Sequence, residues 1–106
     1  MMKVNITIRD EELKKGFENY REKINEKIDK LGQFADELHN ARLVVDKSGI
    51  NSLAEFSIHS RGKEFYAKSK KKVLQESLNS VIDKVERQLK KEADKHTTRR
   101  HKANGS

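Results

Sequence analysis

The sequence predicts a single α+β domain of order β-α-β-β-β-α, a four-stranded sheet with two helices packed on one face. Apolar residues alternate with polar ones in four short runs, they recur every three or four positions in two long runs, and both long runs are apolar on one side only. A sheet covered on one face is the simplest way to bury two such stripes. A chain of 106 residues has room for one core. With 33% hydrophobic against 39% charged residues, that core depends on spacing rather than on general apolarity.

Val4, Ile6 and Ile8 alternate with Asn5, Thr7 and Arg9, which predicts a first strand at about 2 to 9. Asp10 then offers a helix N-cap, and Glu11 and Glu12 put negative charge where the helix dipole favours it. Leu13, Phe17, Tyr20, Ile24, Ile28 and Leu31 fall within about ±40° of one line, predicting one long helix that Gly32 ends as a left-handed cap. Residues 41–47 read as a second strand and 47–51 as a turn. Ala54, Phe56 and Ile58 alternate in a third strand, and Ser60-Arg61-Gly62-Lys63 makes a short hairpin connection. Phe65 and Ala67 mark a fourth, completing a meander. Leu74, Leu78, Val81, Ile82, Val85 and Leu89 define a second long helix, with Ser69 as its candidate cap. If the first two strands are neighbours, the strand-helix-strand start implies a parallel pair. After Lys95 no apolar periodicity remains, so the expected division is a domain over 1–95 and a basic disordered tail over 96–106.

Several chemistries are disfavoured. There is no cysteine, hence no disulfide, thiolate nucleophile or thiolate metal site. The glycines stand alone rather than in a phosphate loop, and His39, His59, His96 and His101 lack the spacing of a metal or acid–base site. The expectation is a protein that is not an enzyme and uses no metal, cofactor or small-molecule substrate. No apolar run is long enough for a membrane, and the expected location is cytoplasmic.

Charge is the informative property. The formal net charge is +7, and residues 1–69 hold 13 Lys/Arg against 12 Asp/Glu whereas 70–106 hold 11 against 5. Around the second helix Lys84, Arg87, Lys91 and Lys95 fall within an arc of about 80°, with Asp83 and Glu86 toward the opposite flank. On the first helix Lys23, Lys27 and Lys30 share one flank, and Glu11, Glu18, Glu22 and Asp29 share the other. Packed with these basic flanks adjoining, the helices would offer one continuous cationic ridge. Lysine stripes also solvate helix faces, and Glu26 with Lys30 is an ordinary i,i+4 pair. The sorting of signs across the whole set favours phosphate binding. Among the aromatics, Tyr66 alone is expected to face away from the core within reach of a base.

Val4-Asn5-Ile6-Thr7, Lys27-Ile28-Asp29-Lys30-Leu31 and above all Val81-Ile82-Asp83-Lys84-Val85-Glu86-Arg87-Gln88-Leu89 resemble the ribosome hibernation-promoting factor and ribosome-associated inhibitor family, also called the sigma-54 modulation family. The resemblance covers residues 2–95. It implies a short-form translation inhibitor that occupies the tRNA and mRNA channel of the small ribosomal subunit and promotes hibernation under stress or in stationary phase. The implied partners are that subunit and its rRNA, with the protein a monomer in solution. Carried over residue by residue, it implies phosphate contacts at Arg21, Lys27, Lys30, Lys84, Arg87, Lys91 and Lys95; Lys23 comes from the charge pattern alone. Where the family opens its second helix with Asp-Met-Tyr-Ala-Ala-Ile-Asp, this chain has Val73-Leu74-Gln75-Glu76-Ser77-Leu78-Asn79, without that cap and tyrosine. Two other readings fit the composition: a double-stranded RNA-binding domain, which lacks the first strand, and a protein-interaction regulator whose cations serve solubility.

Overall fold

The computed structural model describes residues 4–105, with side chains as far as Asp94. Its elements are β1 (Val4–Ile8), α1 (Glu11–Glu18), α2 (Arg21–Lys30), β2 (His39–Ser48), β3 (Asn51–Ser60), β4 (Lys63–Lys71) and α3 (Leu74–Gly105), with a 3-10 turn at Leu31–Gln33. The α+β class stands, but the helices number three and the order is β-α-α-β-β-β-α. The sheet order is β1-β2-β3-β4. β1 runs parallel to β2 with Ile6 opposite Leu43, and the other two pairs are antiparallel.

The expected first helix is broken at Asn19–Tyr20. Asn19 and Tyr20 donate backbone hydrogen bonds three residues back, to Gly16 (3.3 Å) and Phe17 (2.8 Å), so the turn tightens and the helix restarts. Gly16 and Asn19 are both weak helix formers, which makes this the cheapest place to interrupt the run. Asp10 caps α1 as expected, its carboxylate accepting from the Leu13 amide at 3.1 Å. Gly32 does not adopt the left-handed conformation; it lies inside the 3-10 turn, which Phe34 closes onto the Leu31 carbonyl.

One face of the sheet carries the core. Leu43, Val45, Ala54, Phe56, Ile58, Phe65 and Ala67 are buried there beneath Phe17, Ile24, Ile28 and Leu31 and the stripe Leu74, Leu78, Val81, Ile82, Val85 and Leu89. Each large side chain so buried contributes about 1.5–3 kcal/mol. α1 lies against β1 and β2, α3 lies against β3 and β4, and α2 leans on α3. The opposite face is open, with Arg42, Tyr66, Lys68 and Lys70 exposed on it.

Ser69 is not the cap of α3. It belongs to β4, opposite Ala54, because the ladder continues to Lys71 opposite Ser52. The helix is instead tied to the sheet by Ser77, whose buried hydroxyl donates to the Ser52 carbonyl (2.6 Å) and accepts from the Lys71 amide (3.0 Å). Ser77→Ala removes the partner of both groups and is expected to cost about 1–3 kcal/mol, read as a lower denaturation midpoint at unchanged m-value. The β3–β4 turn holds Arg61 at φ 50° and Gly62 at φ 76°, the two positive values of a type I′ hairpin. A Cβ on Gly62 would meet no atom within 4 Å. Gly62→Ala is therefore expected to cost about 1 kcal/mol through backbone strain alone, measured in the same titration.

The helical assignment of α3 runs to Gly105, past the Lys95 boundary. The chain has neither proline nor glycine between Gly62 and Gly105 to stop a helix. The side chains of 95–106, including those of Lys95, His96 and His101, lie outside the described residues.

Candidate nucleic-acid interface

The rotation of α3 about its axis decides what its cations can reach. With its apolar stripe down on β3 and β4, Lys84 and Gln88, one turn apart, lean over β4. Lys84 Nζ donates to the Lys68 carbonyl at 2.9 Å and Gln88 Nε2 donates to the Tyr66 carbonyl at 2.8 Å. β4 is an edge strand, so these bonds satisfy acceptors that no neighbouring strand takes and blunt the edge against pairing with another chain. That bond occupies one of the three N–H donors of the Lys84 ammonium. Lys84, Arg87 and Lys91 are exposed along this flank, and among the described residues none of the three has an ion pair. A depression of about 420 Å³ opens beside them, lined by Lys71, Ser80, Lys84 and Arg87 together with Glu76 and Asp83.

The opposite flank of α3 meets α2, and there the expected ridge is not formed. Lys27 Nζ lies 3.3 Å from Asp83 Oδ1 and 3.2 Å from Asn79 Oδ1, so the seam joins opposite charges rather than two basic flanks. Burying Leu78, Ile82 and Leu89 turns Asp83 and Glu86 towards α2, which is why the seam is mixed. Glu86 is met by Lys90 at 3.6 Å, and Lys90 Nζ sits 4.8 Å above the Phe34 ring. Arg21 is also engaged: its guanidinium donates to both Glu18 carboxylate oxygens, at 2.8 and 3.2 Å to Oε1, and lies 5.2 Å from the Phe17 ring centre. That hydrogen bond holds the Glu18 carboxyl below its ordinary value and raises Arg21. It spans the break between α1 and α2, so Arg21 has a local structural task. Lys23 and Lys30 remain exposed on α2.

The cations named from sequence thus divide into an α3 group beside β4 and an α2 group interrupted by the Lys27 pair. Sequence reasoning passed over β4 itself, where the available signal was five lysines and a single acid over residues 63–72.

A larger cleft of about 580 Å³ lies among Phe34, Phe65 and Leu89. Its rim charges are matched, Arg61 with Asp36 at 2.7 Å and Lys63 with Glu92 at 2.9 Å, so it does not attract phosphate. Tyr66 is 48% exposed on the open sheet face, its phenol held above the ordinary value by desolvation and by Glu55. Sequence spacing also missed a histidine pair: β2–β3 register sets His39 opposite His59 with ring centres 5.6 Å apart, and His59 Nε2 is 3.7 Å from Glu64. Among the described residues no group of three or more His, Cys, Asp or Glu side chains is placed to hold a metal ion, and no helix is long and apolar enough to cross a membrane. The paired β1 separates this fold from the double-stranded RNA-binding order, which has no such strand.

The family model described as sigma 54 modulation protein / S30EA ribosomal protein matches residues 4–97. The ribosome hibernation promoting factor of Klebsiella oxytoca is 28% identical over 94 residues, 89% of this chain and 96% of its own length. That of Escherichia coli K12 is 29% identical over the same span. Among solved structures, the N-terminal domain of Thermus thermophilus Protein Y superposes with a TM-score of 0.68 at 22% identity, covering 85% of this chain and 96% of that one. A ribosomal subunit interface protein from Coxiella burnetii gives 0.63 at 17% identity, with coverages of 83% and 93%.

Proposed function

Because the chain belongs to the sigma 54 modulation protein / S30EA ribosomal protein family, we propose that it binds the small ribosomal subunit in the channel that tRNA and mRNA use, and so holds ribosomes idle. Its relatives in that family are ribosome hibernation promoting factors. The observation that carries the reading to a surface is the α3 flank of Lys84, Arg87 and Lys91, exposed and free of ion pairs among the described residues. Cations in this state gain most from phosphates, because they bring no carboxylate to displace and release condensed counterions on contact. Lys23 and Lys30, exposed on α2, supplement them. Arg21 and Lys27 are weaker contributors, since each must first give up a carboxylate partner. Inhibition by occupancy needs no bond made or broken, hence no catalytic group or cofactor. The protein acts in the cytoplasm as a monomer bound to rRNA.

Sucrose-gradient sedimentation of purified ribosomes with and without the protein, across a salt series, tests this. Cosedimentation with the small subunit is expected at low salt, with log affinity falling against log salt at a slope steeper than about −3. Affinity that ignores salt would favour an apolar protein interface instead, and no cosedimentation at the lowest salt would remove the ribosome from the account.

A further inference from the structure

Residues 63–72 carry five lysines and one carboxylate, Glu64. Lys63 is taken by Glu92 at 2.9 Å. Lys68, Lys70, Lys71 and Lys72 are exposed, and among the described residues none has an ion pair. Strand alternation sends Lys68 and Lys70 to the open face of the sheet, while Lys71 lines the depression beside α3. The β4 edge therefore carries cations on both sides, with Glu55 opposite Lys68 on the open face and Glu76 and Asp83 in the lining of the depression, and the Lys84 bond to the Lys68 carbonyl fastens the α3 cations alongside it. Seven cations with no ion pair among the described residues repel one another there, and a polyanion relieves that repulsion.

We propose that the β4–α3 edge, rather than the α2–α3 seam, is the track along which an RNA backbone runs. One phosphate occupies the depression between Lys71, Lys84 and Arg87, and the strand continues over Lys68 and Lys72. The guanidinium of Arg87 supplies a planar fork of donors for two phosphate oxygens, with the Ser80 hydroxyl as a further donor. Of the two carboxylates lining the depression, Asp83 is already matched by Lys27. Three lysines of β4 and its exit, Lys68, Lys71 and Lys72, thereby enter the interface. The inference rests on the ribosome-binding reading above.

The test compares Lys68→Gln/Lys71→Gln/Lys72→Gln with a charge-matched control, Lys14→Gln/Lys15→Gln/Lys47→Gln, on purified small subunits and on protein-free small-subunit rRNA. The β4 variant is expected to bind about 10- to 100-fold more weakly near 0.1 M salt on both, with the magnitude of the log–log salt slope smaller by about 2. The control is expected to stay within about 3-fold of wild type. An unchanged slope in the β4 variant overturns the inference while leaving ribosome binding intact. Weakening on subunits but not on free rRNA also overturns it, in favour of an acidic ribosomal protein as the contact. Wild type that binds neither target overturns the ribosome reading and this inference together. Should the triple variant melt early, Lys72→Gln alone, in the linker before α3, is expected to reduce the slope by about 0.7, and no change there overturns the inference equally.

Discussion

Replacing Lys84, Arg87 and Lys91 together by glutamate is expected to abolish cosedimentation with ribosomes while circular dichroism and thermal melting stay near wild type. The two halves of this result follow from where the side chains stand. All three are exposed, and none is part of the buried stripe of α3, so the apolar contacts that hold the helix to β3 and β4 survive the change. The structural loss is one hydrogen bond, from Lys84 Nζ to the Lys68 carbonyl, at a solvent-exposed strand edge where water replaces it. Changes of that kind alter stability by about 0.5–1 kcal/mol. Binding responds very differently. In the proposed complex three cations that face phosphates become three anions, so attraction is replaced by repulsion and counterion release is lost. The expected weakening is at least about 100-fold near 0.1 M salt, with a much flatter dependence on ionic strength. Cosedimentation indistinguishable from wild type would take these residues out of the interface, whatever the family implies.

Much of the fold was legible because its signals are local. The stripe Val81, Ile82, Val85 and Leu89 reads as a buried helix face, Asp10 as a cap and Arg61-Gly62 as a tight turn, and each occupies that role. The break at Asn19–Tyr20 was hidden because tightening one turn leaves Phe17, Ile24, Ile28 and Leu31 on the buried side, so the apolar period shows no fault. The candidate site was legible only in part. That Lys84, Arg87 and Lys91 share a flank follows from helix geometry, but which neighbour that flank faces depends on packing between distant segments. Lys27 meets Asp83 across 56 positions of sequence, and Lys84 meets Lys68 across a strand-to-helix turn. The lysines of β4 were passed over for a related reason. In a strand, residues on the polar face read as solvation, and only the docking of α3 against the edge gathers them with other cations. The pairing of His39 with His59 likewise comes from sheet register, which spacing along the chain does not contain.

Phe56→Ala is expected to have the complementary effect: a large loss of stability with the binding surface chemically untouched. Phe56 lies on β3, a central strand with β2 on one side and β4 on the other, and its side chain is fully buried. Truncation removes the ring from a core whose sheet side is held in register on both flanks, so the backbone cannot readily collapse into the space. Removing a buried phenylalanine in this way costs about 3–5 kcal/mol. Domains of this size have in total only about 5–15 kcal/mol. At roughly 4–8 °C per kcal/mol, the melting temperature should drop by at least about 12 °C. Because Lys84, Arg87 and Lys91 remain in place, the variant should still cosediment with ribosomes at temperatures where circular dichroism shows it folded, and lose binding along its own melting curve. A variant that stays folded yet fails to bind at low temperature would mean that the core sets the position of α3 over β4 as well as its stability. A variant with unchanged melting would contradict the packing of Phe56 at the centre of the sheet.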